Sequence, residues 1–282
     1  MPGSMCFPPF VSFSRDVLMT SKGDRFFAGV DVGASRTKVA ILNGGANRVG
    51  HSVRKSGTDF AATAQTCLKA ALDMAGVSEE DIDYCVSTGY GRKNVAFSRE
   101  TKTEISCHAR GCYHYFPVAM TIIDIGGQDN KVIKLDEQGR RTSFKMNRKC
   151  AAGTGAFLEE MSARLDIPLE DMDGLARQST EMVELGSYCT VFSGTEVLEK
   201  IRQGKQVPDI VKGLFFSVIK RVLEMDSLTD RVAMTGGVVA HNPYLVDMVR
   251  EMTSHDILVP EYPQLTGAVG AALFARDIRL SD

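Results

Sequence analysis

Two segments of the chain repeat a residue pattern that suits contact with phosphate. Residues 31–39 and 124–132 both read Asp, Val or Ile, Gly, four further residues, Lys and Val, and each follows a short apolar run. A strand that ends in Asp-x-Gly and turns back exposes backbone N–H groups to an anion, because the glycine has no Cβ in the way. An aspartate repels phosphate directly, so in this place it acts through a hydrated Mg²⁺. Two copies predict two half-domains that hold one nucleotide from opposite sides.

A single hairpin of this kind could equally be an ordinary tight turn or a phosphate site. The matching lysines of two copies favour the phosphate site. Asp31 and Asp124 are predicted to orient hydrated Mg²⁺. Gln128 and Asp129 are predicted to position the water that attacks a phosphate in phosphoryl transfer. Lys38 either neutralises phosphate charge or faces solvent. No G-x-x-x-x-G-K-S/T is present, which excludes a P-loop. The predicted nucleotide-binding positions are Gly33, Ala34, Ser35, Lys38, Gly126, Gly127, Lys131 and, under the adenosine, Gly236 and Gly237.

Two cysteines lie where helices are expected to begin. Cys150 stands in KCAAGTG before a helix predicted over 153–165, and Cys189 precedes a helix predicted over 190–202. A thiolate at a helix N-terminus is stabilised by the helix dipole and by free N–H groups. For either residue alone, a buried structural cysteine is the alternative. Because a [4Fe–4S] cluster takes four thiolates, two cysteines per chain would hold one only on the axis of a two-fold dimer.

Composition and charge narrow the class of protein. The 282 residues suffice for two lobes, and 44% hydrophobic and 24% charged residues are ordinary for a soluble globular protein. The formal net charge of −2 speaks against a nucleic-acid partner. No apolar run approaches the roughly 20 residues that cross a bilayer, and the N-terminal segment does not fit a signal peptide. With seven cysteines and no C-x-x-C, we predict a reducing, cytoplasmic location without membrane contact.

Strand-like and helix-like segments alternate along the chain, which is typical of an α/β fold. An N-terminal extension over 1–24, whose composition allows disorder, precedes a first lobe over 25–117 and a second lobe over 118–282 that carries both cysteine motifs. Gly76 is expected to stop one helix and Asp209 to cap another. Further predicted segments are a hairpin over 26–42, helices over 59–75 and 101–116, a strand over 231–234 and a small-residue helix over 265–275.

A set of motifs resembles one known family. The motifs are DVGASRTK, STGYGR, TEISCHARG, DIGGQDNK, NRKCAAGTG, CTVFSGTEV, MTGG and PQLTGAVGAAL. This set, in this order over about residues 26–276, is similar to that of the ATPase subunits of benzoyl-CoA reductases and the activators of 2-hydroxyacyl-CoA dehydratases. The resemblance implies a two-lobed actin-like fold. This is the duplicated, ribonuclease-H-like ATPase fold of the actin, heat-shock chaperone and sugar-kinase superfamily, with ATP in the cleft between the lobes.

The same resemblance implies cofactors and partners. Cys150 and Cys189 would hold one [4Fe–4S] cluster between two subunits, either two copies of this chain or this chain and a sister subunit. Hydrolysis of ATP with Mg²⁺ would drive a low-potential electron, donated by a ferredoxin or flavodoxin, to an acyl-CoA reductase or dehydratase. The segments TEISCHARG and VVAHNP incline the interpretation towards the benzoyl-CoA reductase type.

Other functions remain open at this point. A small-molecule, sugar-type kinase on the same fold would need an Asp base near the γ-phosphate and no cluster. A chaperone-like binding module would need a separate peptide-binding domain, for which the chain is too short. His108 is interpreted as a packing or capping residue rather than a catalytic one, and Cys107 and Cys112 as packing cysteines.

Overall fold

Two five-stranded β-sheets of the same topology organise the computed structural model, which describes residues 25–186 and 189–281. The strands of the first sheet are β1 (Phe26–Val32), β2 (Arg36–Asn43), β3 (Arg48–Lys55), β4 (Ile82–Thr88) and β5 (Glu100–Thr101). The strands of the second sheet are β6 (Met120–Ile125), β7 (Asn130–Leu135), β8 (Arg141–Asn147), β9 (Arg231–Thr235) and β10 (Asp256–Leu258).

The strand order shows that one half of the fold repeats the other. In the first sheet, with order β3-β2-β1-β4-β5, β1 to β3 form an antiparallel meander, and β4 and β5 continue parallel to β1. The second sheet, with order β8-β7-β6-β9-β10, repeats this arrangement strand for strand. The duplicated, two-lobed α/β fold predicted from the sequence is confirmed.

Helices cover both faces of the two sheets. α1 and α9 pack on opposite faces of the first sheet, while α3 and α6 pack on one face of the second sheet and α2 on the other. Among the described residues, no helix is both long and apolar enough to cross a membrane. The helices are α1 (Phe60–Ala75), α2 (Glu104–Tyr115), α3 (Gly155–Leu165), α4 (Met172–Arg177), α5 (Thr190–Arg202), α6 (Val207–Leu223), α7 (Gly237–His241), α8 (Pro243–Thr253) and α9 (Thr266–Ser281).

Two helices connect the lobes, because each packs on the sheet to which it does not belong in sequence. α2 follows the first sheet but buries Ile105 and Cys112 against the second. α9 follows the second sheet but buries Ala268 and Ala272 against the first. The predicted division between residues 117 and 118 lies between the two sheets, and as a boundary between lobes it stays a proposal.

Gly270 marks a tight contact between α9 and α2. A Cβ added to Gly270 would overlap the carbonyl oxygen of Cys107. Replacing Gly270 with alanine should therefore push the helices apart and lower the free energy of unfolding by roughly 1–3 kcal/mol, the usual cost of overpacking. Thermal unfolding followed by circular dichroism would show this loss as a Tm lower by several degrees.

Gly174 in α4 provides the matched control for this prediction. A Cβ added to Gly174 meets no atom within 4 Å. Because alanine has the higher helix propensity, Gly174→Ala should unfold at the wild-type temperature or above it. Equal melting temperatures for Gly270→Ala and the wild-type protein would contradict the close packing of α2 on α9.

The ends of the helices follow local signals in the sequence. α1 begins after Asp59, whose carboxylate accepts a hydrogen bond from the backbone N–H of Ala62, and it ends as predicted at Gly76, which has φ 68°. α3 begins at Gly155, two residues later than predicted. The delay has a local cause, since Gly153 has φ 80° and is outside helical geometry.

The prediction that Asp209 caps a helix is wrong. α6 has Gln206 at its N-cap, and Asp209 lies inside the first turn. The helix starts earlier because Pro208 fits the first turn, where no N–H is needed. The buried carboxylate of Asp209 instead accepts hydrogen bonds from the backbone N–H groups of Thr180 (2.8 Å) and Glu181 (3.0 Å). It therefore fixes the segment between α4 and α5 to α6.

Candidate functional site

A cavity of about 430 Å³ lies between the lobes, where both predicted phosphate-binding hairpins turn. The first lobe contributes the turn from β1 to β2, and the second contributes the turn from β6 to β7 and the start of α7. The structure brings all the predicted nucleotide-site residues together here, while their individual roles stay predictions. The lining includes Asp31, Gly33, Ala34, Ser35, Lys38, Asp124, Gly126, Gly127, Gln128, Asp129, Lys131, Gly236 and Gly237.

Each hairpin places an aspartate beside a lysine in the same geometry. Asp31 and Lys38 are partners in the β1–β2 register, and Lys38 Nζ donates to Asp31 Oδ2 at 3.1 Å. Asp124 and Lys131 are partners in the β6–β7 register, and Lys131 Nζ donates to Asp124 Oδ2, also at 3.1 Å. Directly opposed residues of an antiparallel pair point to the same face, so the spacing of seven residues in the sequence sets both contacts.

The two turns also share their backbone geometry. In the first, Gly33 N donates to the carbonyl oxygen of Arg36 at 3.0 Å, and in the second Gly126 N donates to that of Asp129 at 2.9 Å. The duplication seen in the sequence is therefore a duplication of structure down to single hydrogen bonds.

The turns approach each other across the cleft at Ser35 and Gly127. A Cβ added to Gly127 would lie 2.6 Å from Ser35 Oγ. Glycine at this position thus permits the close approach of the lobes. A ligand in the cavity would contact both turns at once.

Asp124 is buried and carries a negative charge. Burial alone would raise the pKa of its carboxyl group, but the neighbouring His108 and Lys131 and a hydrogen bond from Thr235 outweigh burial and hold the pKa below its usual range. Thr235 Oγ1 donates to Asp124 Oδ1 at 2.8 Å, and His108 Nδ1 lies 3.5 Å from the same oxygen. The carboxylate is therefore ionised and held in one orientation.

Lys131 is the buried counter-charge of the second hairpin. Burial alone would lower the pKa of its ammonium group, but Asp124, Asp129 and Glu104 raise the pKa above its usual range. Lys131 Nζ lies 2.9 Å from Asp129 Oδ1 and 3.5 Å from Glu104 Oε2. The lysine stays protonated and joins three carboxylates at the edge of the cavity.

The predicted adenosine positions Gly236 and Gly237 line the cavity beside apolar side chains. Gly236 follows β9 with φ 102°, and a Cβ there would clash with the carbonyl oxygen of Ile125. α7 begins at the next residue, Gly237, around which a Cβ would meet no atom within 4 Å. The apolar side chains of Leu158 and Val238 also line the cavity.

Several residues that line the cavity were not predicted as site residues, among them two on α2. Glu104 and His108 of α2 line the cavity, and His108 is buried beside Asp124. His108 was interpreted as a packing or capping residue, and the structure shows that it also faces the site. Their spacing of four residues, which puts both on one face of a helix, was the available signal.

The cysteines divide into an exposed pair and a buried group. Cys150, in the loop between β8 and α3, and Cys189, at the N-cap of α5, are exposed. The exposed pair comprises the two residues predicted to bind the cluster, and Cys6 lies outside the described residues. The buried group, which includes both predicted packing cysteines, is Cys67, Cys85, Cys107 and Cys112.

Burial makes the second group poor thiolate ligands. It raises the pKa of Cys85 and Cys107 to about 12, and it raises the pKa of Cys112 well above its usual value. Within the part of the chain that the structure describes, no group of three or more His, Cys, Asp or Glu residues gathers as a metal site.

The start of α3 is attached to the turn from β6 to β7, which is the second predicted phosphate turn. Gly155 N donates to the carbonyl oxygen of Gly126 at 2.9 Å, and Ala156 N donates to that of Gly127 at 2.7 Å. The first N–H groups of a helix have no partner within the helix, so these two bonds satisfy them. The loop of Cys150 leads directly into this attachment.

Comparison with known proteins identifies relatives over almost the whole chain. The sequence profile of the BadF/BadG/BcrA/BcrD ATPase family matches residues 28–275. The activator of lactoyl-CoA dehydratase from Anaerotignum propionicum is 43% identical over 250 residues, which cover 88% of this chain and 96% of that protein.

A solved structure and a more distant relative complete the comparison. The activator of the 2-hydroxyisocaproyl-CoA dehydratase from Clostridium difficile, solved with bound ADPNP, superposes with a TM-score of 0.85 at 39% identity and covers 91% of this chain and 96% of that one. A benzoyl-CoA reductase subunit from Thauera aromatica is 27% identical over 259 residues, which cover 88% of this chain and 92% of that protein.

Proposed function

We propose that this chain, which belongs to the BadF/BadG/BcrA/BcrD ATPase family, is the activating ATPase of a 2-hydroxyacyl-CoA dehydratase system and couples nucleotide turnover to electron transfer. The relatives at about 40% identity are dehydratase activators, whereas the relative from benzoyl-CoA reductase is 27% identical. The comparisons thus favour the dehydratase type over the benzoyl-CoA reductase type to which the short motifs inclined.

The hydrogen bonds between the second phosphate turn and α3 carry this proposal. They join the carbonyl groups of Gly126 and Gly127 to the helix that directly follows the loop of Cys150. A shift of the turn on nucleotide binding would displace the start of α3 and, with it, the cysteine loop. A short covalent and hydrogen-bonded path therefore connects the turn proposed to bind phosphate with the thiol of Cys150.

The cavity residues suit phosphoryl transfer to water. Asp31 and Asp124 are buried carboxylates at equivalent positions, and each is neutralised by a lysine in this structure. When bound, Mg²⁺ would supply positive charge to the phosphates through waters, and these two carboxylates would hold such waters. The turn N–H groups would face the phosphate oxygens.

Three side chains are candidates for orienting the attacking water. Gln128 and Asp129 lie in the turn from β6 to β7, and Glu104 of α2 lines the same cavity. A carboxylate or amide oxygen accepts a proton or a hydrogen bond from water, which is the role needed in phosphoryl transfer. Asp129 and Glu104 already contact Lys131, at 2.9 and 3.5 Å, so Gln128 is the candidate that would give up no ion pair to contact a water.

The two exposed cysteines fit a shared [4Fe–4S] cluster. Cys150 and Cys189 are accessible, while the described buried cysteines have a raised pKa that disfavours the thiolate. When bound, the cluster would supply one-electron chemistry. Val191 and Phe192, in the first turn of α5 beside Cys189, are large apolar side chains that are 67% exposed, which suits a surface covered by a protein partner.

The assembly follows from the ligand count. Two copies of this chain, or this chain and a sister subunit, would supply four thiolates from two equivalent pairs. We propose a dehydratase as the electron acceptor and a ferredoxin or flavodoxin as the donor. A sugar-type kinase of the same fold is the alternative, and it would purify colourless and without iron, whereas the proposed protein purifies brown under anaerobic conditions.

Nucleotide-dependent access to the iron tests the proposed function. A ligand shifts a conformational equilibrium only by its different affinity for the two states. The rate at which a chelator removes iron from the reduced protein should therefore differ between the ADP-bound protein and the protein bound to a non-hydrolysable ATP analogue. We expect a difference of roughly fivefold or more, the lower end of usual coupling between two sites.

The control is a ferredoxin treated with the same nucleotides and chelator, because it reveals any direct effect of nucleotide on the reagent. Iron-free protein that converts ATP to ADP only in the presence of a sugar, with the phosphoryl group recovered on the sugar, would favour the kinase. Iron-containing protein with equal chelation rates in all nucleotide states, at confirmed occupancy, would refute the coupling.

A further inference from the structure

We propose that Arg148 is a positioning residue that connects the terminal phosphate of the bound nucleotide to the loop of Cys150. This inference rests on the proposed function of the cleft as an ATP site. It concerns the residues between the end of β8 and the start of α3, of which the sequence analysis singled out only the cysteine.

The guanidinium group of Arg148 can exchange its present partners for an incoming anion, since its Nε contacts the thioether of Met146, which is a weak acceptor. Arg148 lines the cavity with its side chain 58% exposed, and its Nη2 lies 3.9 Å from Glu104 Oε2. Lys38 and Lys131, which line the same cavity, already contact carboxylates at 3.1 Å. The planar fork of an arginine matches the oxygens of a phosphate, so Arg148 gains more by exchanging its partner than the lysines do.

The residues that follow Arg148 form a compact turn, so that a movement of Arg148 is passed to Cys150. The side chain of Asn147 holds both ends of this turn: its Nδ2 donates to the carbonyl oxygen of Cys150 at 2.9 Å. Its Oδ1 accepts from the backbone N–H groups of Lys149 and Cys150, both at 3.3 Å. Cys150 is thus two residues from Arg148 and fixed to the same turn.

The other end of the loop is also attached to the site. The carbonyl oxygen of Gly153 accepts a hydrogen bond from Asn130 Nδ2 at 2.7 Å, and α3 is bonded to the second phosphate turn. Cys150 therefore lies in a loop that is attached to the cavity at two points, at Arg148 and at the turn from β6 to β7. A γ-phosphate that draws Arg148 away from Glu104 displaces the first end, while ADP leaves it in place.

The reactivity of Cys150 in the iron-free full-length chain tests this inference without depending on activity. Alkylation of Cys150 by iodoacetamide is measured by mass spectrometry at saturating ADP and at a saturating non-hydrolysable ATP analogue. In the wild-type chain the two rates should differ by about fivefold or more. In Arg148→Gln the ratio should fall to near one, and Arg148→Lys should restore part of it, because the charge remains but the fork is lost.

Binding constants add a second readout that a merely structural role would not change. Losing one charged contact to the terminal phosphate should raise the Kd of the ATP analogue by roughly tenfold, while the Kd of ADP stays unchanged. Lys149→Gln is the matched control, since Lys149 is nearer to Cys150 but does not line the cavity. Arg36→Gln removes the other exposed arginine of the cavity. At saturating nucleotide, the alkylation rate of Cys150 in this variant should still differ between ADP and the ATP analogue.

Each outcome decides a separate point. A nucleotide response that persists in Arg148→Gln would exclude Arg148 as the link and leave the proposed function intact. A wild-type chain that binds the analogue without any change at Cys150 would overturn the coupling through this loop. Failure of the wild-type chain to bind the analogue at all would overturn the ATP site itself.

Discussion

Anaerobically purified Cys150→Ser and Cys189→Ser variants are each expected to lack the iron that the wild-type protein carries. One substitution per chain removes two of the four thiolates that a shared cluster needs, because the two-fold axis repeats the loss. A serine hydroxyl does not replace a thiolate as a soft ligand. Iron analysis should give about four iron atoms per wild-type dimer and close to none in either variant, with loss of the visible sulfur-to-iron absorption band.

Cys67→Ser is the matched control for these variants. The thiol of Cys67 is buried and already contacts the carbonyl oxygens of Ser52 (3.3 Å) and Thr37 (3.6 Å), so a hydroxyl group fits in its place. This variant should keep its iron. Far-ultraviolet circular dichroism and nucleotide binding should show that all three variants fold. Retention of about four irons per dimer in Cys150→Ser or Cys189→Ser would remove the basis for the cluster assignment.

The two hairpins that line the cleft were predictable because the geometry of a hairpin depends on residues close together in the sequence. In a hairpin, the turn length and the alternation of the strands fix which residues oppose each other, so Asp31 meets Lys38 and Asp124 meets Lys131 wherever the hairpin is placed. Two copies of one local rule then predicted two lobes. The C-terminal end of α1 was predictable for the same reason, since its stop at Gly76 depends only on neighbouring residues.

The other residues that line the cleft were not predictable in this way, because tertiary packing decides whether they reach it. Glu104 and His108 reach the cavity because α2, which follows the first sheet in sequence, buries one of its faces against the second sheet. The sequence pattern of α2 shows a buried face but not the sheet that covers it. Arg148 lies in a loop without a repeating pattern, so no periodicity marks it as a cavity residue. Asp209 shows the converse, a local capping signal overridden by a contact with a distant loop.

Asp124→Asn is expected to lose most ATP hydrolysis while it still binds nucleotide. Asparagine keeps the size of the side chain and an oxygen that accepts from Thr235, but it removes the charge that faces the cavity. A charge that acts on the phosphates through Mg²⁺ waters stabilises the transition state more than the bound substrate. Loss of one such electrostatic contact commonly costs about 10²–10³ in kcat, so turnover should fall by roughly that factor and the affinity for ATP by far less.

The fold should survive this substitution, because buried Lys131 keeps Asp129 and Glu104 as partners. The matched control is Asp226→Asn. Asp226 Oδ1 lies 3.1 Å from the Nζ of Lys134, a second lysine of β7, but Asp226 does not line the cavity. The steady-state ATPase rate of Asp226→Asn should match that of the wild-type protein. The Kd of each variant for nucleotide is measured by calorimetry. Wild-type turnover in Asp124→Asn would mean that the aspartate of the second hairpin holds the fold together and takes no part in hydrolysis.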